Sequence, residues 1–169
     1  ESAGWTKVTS SSITGTGDNY YMLVDCNSSA YVMANQANNF RPCYKTIGNP
    51  VENPSFVWIL EGSNNEFNLK SYSTGAYFKQ ASGWNTSVGY ARDGRTKVTG
   101  VFELNEGKYT LKCKESGNYV GHWNDSGAAV AGDGENIAAN KAIGNAPGFF
   151  LYSISKVAFD AALSASRFA

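Results

Sequence analysis

The sequence predicts an all-β fold made of three four-stranded units around one axis, and two patterns in the chain predict it. The first is a self-similarity without gaps. Tyr21-x-Leu23 followed by Ser29-x-Tyr31 is matched by Phe67-x-Leu69 with Gly75-x-Tyr77, and again by Tyr109-x-Leu111 with Gly117-x-Tyr119. The starts lie 46 and 42 residues apart. A period of that length, met three times, marks supersecondary units that share a core. The second pattern is an apolar segment closing each unit, at 56–60, 101–104 and 149–154.

Each element follows in order. Trp5-Thr6-Lys7-Val8-Thr9 alternates as a strand does, and 10–18 is a Ser/Gly/Thr-rich connector. Between the leading and closing segments of each unit lies another short run, at 40–44, 87–92 and 128–131. Runs rich in Val, Tyr, Phe and Trp between Gly, Asn and Ser clusters read as strands joined by turns. That gives about four strands per unit and roughly a dozen in all. A propeller also uses four strands per unit, but it needs about 4–8 of them. After 154 the pattern changes: Ser155 can cap a helix whose Phe159 and Leu163 stand four apart.

Carried by the repeated aromatic-x-Leu and Gly/Ser-x-Tyr pattern and the three closing segments, the chain resembles a β-trefoil. The resemblance covers 20–154, in units of about 20–62, 63–107 and 108–154. It implies a six-stranded barrel from the first and fourth strands of each unit, capped by a hairpin from the second and third. Residues 1–19 then supply an extra strand at the barrel's open end. The tail at 155–169 either packs on the barrel or opens a following domain; in the second case the chain is an accessory module of a longer protein. A single β-sandwich is the alternative, but three evenly spaced matches favour the trefoil.

Composition narrows the function classes. Fourteen basic and fourteen acidic residues cancel, and no basic stripe exists, which argues against a nucleic-acid partner. No apolar run reaches the roughly 18–20 residues of a membrane span. Abundant Asn, Ser, Gly and Tyr lean toward an extracellular, cell-surface or periplasmic protein of a bacterium. Sequons at Asn27, Asn85 and Asn124 occur about as often as chance predicts in such a chain. Cys26, Cys43 and Cys113 read most simply as reduced, mostly buried thiols. The trefoil-lectin resemblance implies instead that Cys26 and Cys43 bridge the first strand to the third.

Catalysis is poorly supplied. One histidine, His122, stands in a His-Trp-Asn-Asp run that reads as a surface hairpin. No nucleophile elbow, metal-ligand spacing or phosphate loop is present, so no enzyme activity, cofactor or metal is expected. Asp93, Asp125 and Asp133 offer carboxylates without singling out a pair. Binding is better supplied. Trp84-Asn85 with Tyr90, Arg92 and Asp93, and Trp123-Asn124-Asp125 with Asp133, set aromatic faces beside amides and carboxylates. An aromatic face packs on a sugar's C–H side while Asn and Asp take its hydroxyls. Hairpin tips also gather Asn and Asp because these tolerate positive φ.

The resemblance to ricin-B-like carbohydrate-binding modules is partial. Their Gln-x-Trp signature is missing, with 56–58, 100–102 and 148–150 in its place. Their sugar-binding Asp after the first strand has a counterpart only at Asp25, beside Phe40 or Tyr44; Ser71 and Cys113 stand there in the other units. The expected partner is a glycan or polysaccharide, together with other domains of the same parent protein. Two alternatives are a protease inhibitor displaying the proline-stiffened stretch 44–54, and a protein–protein or spacer module.

Overall fold

The computed structural model describes residues 4–9, 13–36, 41–82, 85–89, 96–122, 133–141 and 146–168, with backbone alone at 36, 41, 80–82, 85–89 and 96. The first unit comprises β2 (Asn19–Asp25), β3 (Tyr31–Gln36), β4 (Arg41–Thr46) and β5 (Trp58–Ser63). The second has β6 (Glu66–Ser71), β7 (Tyr77–Ser82), β8 (Asn85–Gly89), the short β9 (Thr96–Lys97) and β10 (Thr99–Asn105). The third has β11 (Lys108–Cys113), β12 (Tyr119–His122), β13 (Ile137–Lys141) and β14 (Phe149–Ser155). A short β1 (Thr6–Lys7) precedes them and helix α1 (Lys156–Arg167) follows.

First and fourth strands close a barrel in the order β2, β5, β6, β10, β11, β14, with β14 pairing back to β2. β3–β4, β7–β8 and β12–β13 form three hairpins that pair onto it. The fold is a β-trefoil. Its threefold character is visible in the register itself: Leu60 faces Leu69, Phe102 faces Leu111, and Leu151 faces Leu23. All six are at most 1% exposed and form the middle layer of the core. The repeated Leu is therefore the barrel's inward position in every unit.

The repeat's other residues have equally local causes. Gly75 and Gly117 adopt φ of 74° and 75°, a left-handed turn that glycine enters without Cβ strain. Their amides donate back to the carbonyls of Ser71 and Cys113. The Tyr two residues on faces the barrel's outside. Tyr77 donates to Glu61 at 2.6 Å and Tyr119 to Glu103 at 2.7 Å, each tying its unit to the closing strand of the unit before. Two-residue turns at Asn64-Asn65 and Glu106-Gly107, all at positive φ, join the units by the turn type that suits twisted hairpins.

One wall of the barrel departs from this symmetry. Outward-facing pairs on β5–β6 are Ile59/Lys70, Glu61/Asn68 and Ser63/Glu66; on β10–β11 they are Val101/Lys112, Glu103/Thr110 and Asn105/Lys108. On β14–β2 the same positions hold Phe150/Val24, Tyr152/Met22 and Ile154/Tyr20. β2 is thus buried on both faces, and the chain ends cover it. β1 pairs with β14 at Thr6/Ser153 and Lys7/Tyr152. Helix α1, capped by Ser155 on the Ala158 amide, buries Phe159 against Trp5, Tyr20 and Tyr72, with ring centroids 5.2–6.2 Å apart. The helix therefore packs on the barrel.

Three expectations need correction or completion. The third strand of the last unit is Ile137–Lys141, paired with β12; the stretch 128–131 lies outside the described residues. In β13 Ile137, Ala138 and Ala139 supply the side chains that bury. The 47–57 connector folds down: Pro50 and Phe56 are buried and Ile47 and Val51 join the outer apolar cluster. Within 44–54, Thr46, Gly48, Asn49, Glu52 and Asn53 are exposed. Cys26, Cys43 and Cys113 are free, and burial pushes the Cys43 thiol to about 11 and Cys113 to about 12.

Gly100 stands where the other units carry Trp58 and Phe149, and a Cβ there would lie 2.6 Å from Leu111 Cδ1. Leu69→Ala is expected to lower the unfolding free energy by about 2–5 kcal/mol by leaving a cavity, and Gly100→Val by about 1–3 kcal/mol by overpacking. Urea titration of both variants measures these losses.

Candidate functional site

Three hairpins pair onto the barrel, which fixes their roots. Trp84, Tyr90, Asp93, Trp123, Asn124 and Asp125 lie outside the described residues. Of Asn85 only the backbone is described, at the start of β8. What the structure does describe is how the hairpins are rooted.

Each hairpin buries a polar residue on its first strand: Asn35, Lys79 and His122. Asn35 donates to Ser71 Oγ at 3.0 Å and to Thr74 Oγ1 at 2.9 Å. His122 Nε2 sits 2.9 Å from Asp25 Oδ1. Ser71 and Asp25 occupy one column of the repeat, facing Trp58 and Phe149 on the neighbouring barrel strand. So two hairpins are pinned alike, each by a side chain that reaches the end of the first strand in the following unit. Cys113 fills that column in the third unit.

The pin at His122 is ionic. Its Nδ1 lies 3.0 Å from Glu135 Oε2, just ahead of β13, while Tyr44 stacks on the ring at 4.7 Å. His122 is 1% exposed and Asp25 0%. Both ring nitrogens face carboxylates: Nε2 is hydrogen-bonded to Asp25, whereas the Nδ1 approach to Glu135 has ion-pair distance without hydrogen-bond alignment. Burial opposes a charge on the ring and is the largest single influence on it. The Asp25 hydrogen bond and charge, joined by those of Glu135, outweigh it and hold the His122 pKa above its ordinary value. Burial, with Asp25 and Glu135 nearby, likewise raises the Tyr44 phenol well above its usual range.

Two sequence expectations change here. Asp25 was expected to meet a sugar, but its Oδ1 is taken by His122 and its Oδ2 accepts from the Asn27 amide at 3.1 Å, with no surface left to solvent. His122 was expected at the surface and is buried. A signal existed: an ionised residue in a column that elsewhere holds Ser and Cys demands a buried partner of opposite charge. Finding that partner 97 positions away needs the fold. Asp133 accepts from Thr46 Oγ1 at 2.8 Å and from its amide, which lowers its pKa and links the third unit to β4.

No cluster of His, Cys, Asp and Glu among the described residues converges as metal ligands do. Nor is any helix among them long and apolar enough to cross a membrane.

No family model and no curated protein sequence matches the chain. Solved structures do. A designed threefold-symmetric protein, ThreeFoil, matches with a TM-score of 0.60 at 17% identity, over 78% of this chain and 96% of that one. A Polyporus squamosus lectin, solved with the glycan epitope Neu5Aca2-6Galb1-4GlcNAc, matches with a TM-score of 0.59 at 18% identity, over 83% of this chain and 50% of the lectin. A GH43 β-1,3-galactosidase matches at 0.62 and 17%, over 88% of this chain but 29% of the enzyme. At these identities the likeness is one of fold. The chain spans half of the lectin and under a third of the galactosidase.

An imidazole held above its unfolded pKa, near 6.5, stabilises the fold fully below that value. The contribution fades as pH rises through the folded value. Unfolding free energy is therefore expected to fall on the alkaline side of about pH 6.5. At about pH 6, His122→Ala should cost roughly 3–5 kcal/mol by stranding two buried carboxylates, and the alkaline decline should flatten. Urea midpoints across the pH range check both.

Proposed function

We propose that the chain is a non-catalytic carbohydrate-binding module, lectin-like in action, belonging to a larger secreted or surface-attached bacterial protein. The observation that carries this reading is the rooting of the hairpins. β12 ends on the pinned His122, and the next residues in the chain are Trp123-Asn124-Asp125. In the second unit Trp84 directly precedes Asn85, the first residue of β8. An aromatic near amides and carboxylates suits sugars, and a root fixed as at His122 lowers the ordering entropy lost on binding.

The fold shared with a glycan-bound lectin supports the reading. Trp84 with Asn85, Tyr90 and Asp93 forms one site in this proposal; Trp123 with Asn124 and Asp125 forms the other. Asp25 takes no part as a contact, and acts by holding the third hairpin. Two weak sites on one rigid body gain from avidity when the glycan is polymeric.

Retention on a glycan array and on immobilised polysaccharides tests this directly. Trp84→Ala or Trp123→Ala alone should lower apparent affinity by about 100-fold, the scale lost when one of two linked sites is removed. The double variant should not be retained. Unchanged retention by a folded double variant would falsify the proposal.

A further inference from the structure

The apolar wall on β14–β2 is more than a seat for the chain ends. Tyr20 and Trp5 go against Phe159 under the helix. The remaining surface of Met22, Val24, Phe150 and Tyr152 floors a groove of about 710 Å³ between β1, α1 and the 47–51 connector. That volume lies in the range of about 300–1,000 Å³ typical of small-molecule sites. Phe150 and Tyr152 are only half-buried, so the cover is incomplete. In the other two units the same wall carries Lys, Glu, Asn and Thr and needs no cover.

Charge selects the occupant. Lys7 is the one charged side chain among the described residues that line the groove, and no carboxylate lines it. Its Nζ lies 4.0 Å from the Phe150 ring centroid, which keeps the cation at the rim over an apolar face. We propose that the groove binds a small amphiphile with an apolar body and a single anionic end, of which a medium-chain carboxylate is the simplest case. The body lies along Met22, Val24 and Ile154; the anion meets Lys7. A sugar is the poorer fit on the floor of Met22, Val24 and Ile154, where its hydroxyls would find no partners; Ser29, Asn49 and Ser166 lie only elsewhere in the lining. A cationic amphiphile would meet Lys7 with like charge. The site is remote in sequence from the hairpin loops and stands or falls independently of the glycan reading.

The test is decanoate, kept below its micelle-forming concentration, titrated into the full chain and followed by NMR of side-chain methyls. Decyltrimethylammonium and methyl galactoside serve as counter-probes. Decanoate should shift the Met22, Val24 and Ile154 methyls saturably. Lys7→Glu, at an exposed position, should weaken decanoate by about five-fold or more, the scale of losing one surface charge contact and gaining a repulsion. It should also turn the preference toward the cationic amphiphile. Ala162→Trp, placed on an exposed position of α1 at the groove's edge, should block both amphiphiles while the amide spectrum stays folded. No saturable shift, equal affinity for the two amphiphiles, or the glycoside moving these methyls instead would each overturn the proposal.

Discussion

The pairing of β14 with β2 is the constraint on which the rest of the molecule depends. It runs over seven residues, from Phe149/Asp25 to Ser155/Asn19, and joins strands more than 120 positions apart. The other barrel pairings join residues no more than 40 positions apart; this one closes the ring and removes the open edges that an unclosed sheet would leave. It also sets the third copy of the Leu pair, Leu151 against Leu23, in line with the other two. Because the hairpins project from strands whose register the closure fixes, their relative placement follows from it.

Closure has a cost in symmetry. The two junctions made by tight turns present ordinary half-solvated walls, with Tyr77 bonded to Glu61 and Tyr119 to Glu103. At β14–β2 no turn joins the strands, and the chain must enter and leave nearby. The wall there is apolar, and the two chain ends fold over it. Trp5 and Phe159, from opposite ends of the sequence, meet at 6.2 Å on that surface. A dedicated second apolar cluster on the barrel's outside, containing Phe56 and Val57 as well, is the consequence.

Inside, the same departure from symmetry appears as charge. One column carries Asp25, Ser71 and Cys113. Serine needs only the amide of Asn35, whereas aspartate needs a cation, and His122 supplies it with Glu135 at its other nitrogen. A buried carboxylate–imidazolium–carboxylate arrangement is not an efficient source of stability, since apolar residues of similar size often do as well. It does fix which side chains meet, and so fixes where the third hairpin leaves the barrel.

The sequence was sufficient for the fold because its information is local and repeated. Aromatic-x-Leu, glycine before a spaced Tyr, and a closing apolar segment each act within a few residues, and three copies remove the ambiguity of one. The same locality explains the failures. Alternation and turn chemistry cannot say that His122 and Asp25 face each other, that Asp25 is sealed from solvent, or that the wall of β2 is apolar on both faces because β1 and α1 lie over it. Those facts depend on contacts between residues far apart in the chain, set by barrel closure. What the chain determined by itself was the repeating unit; which buried charges pair and where the symmetry breaks was decided only when the third unit met the first.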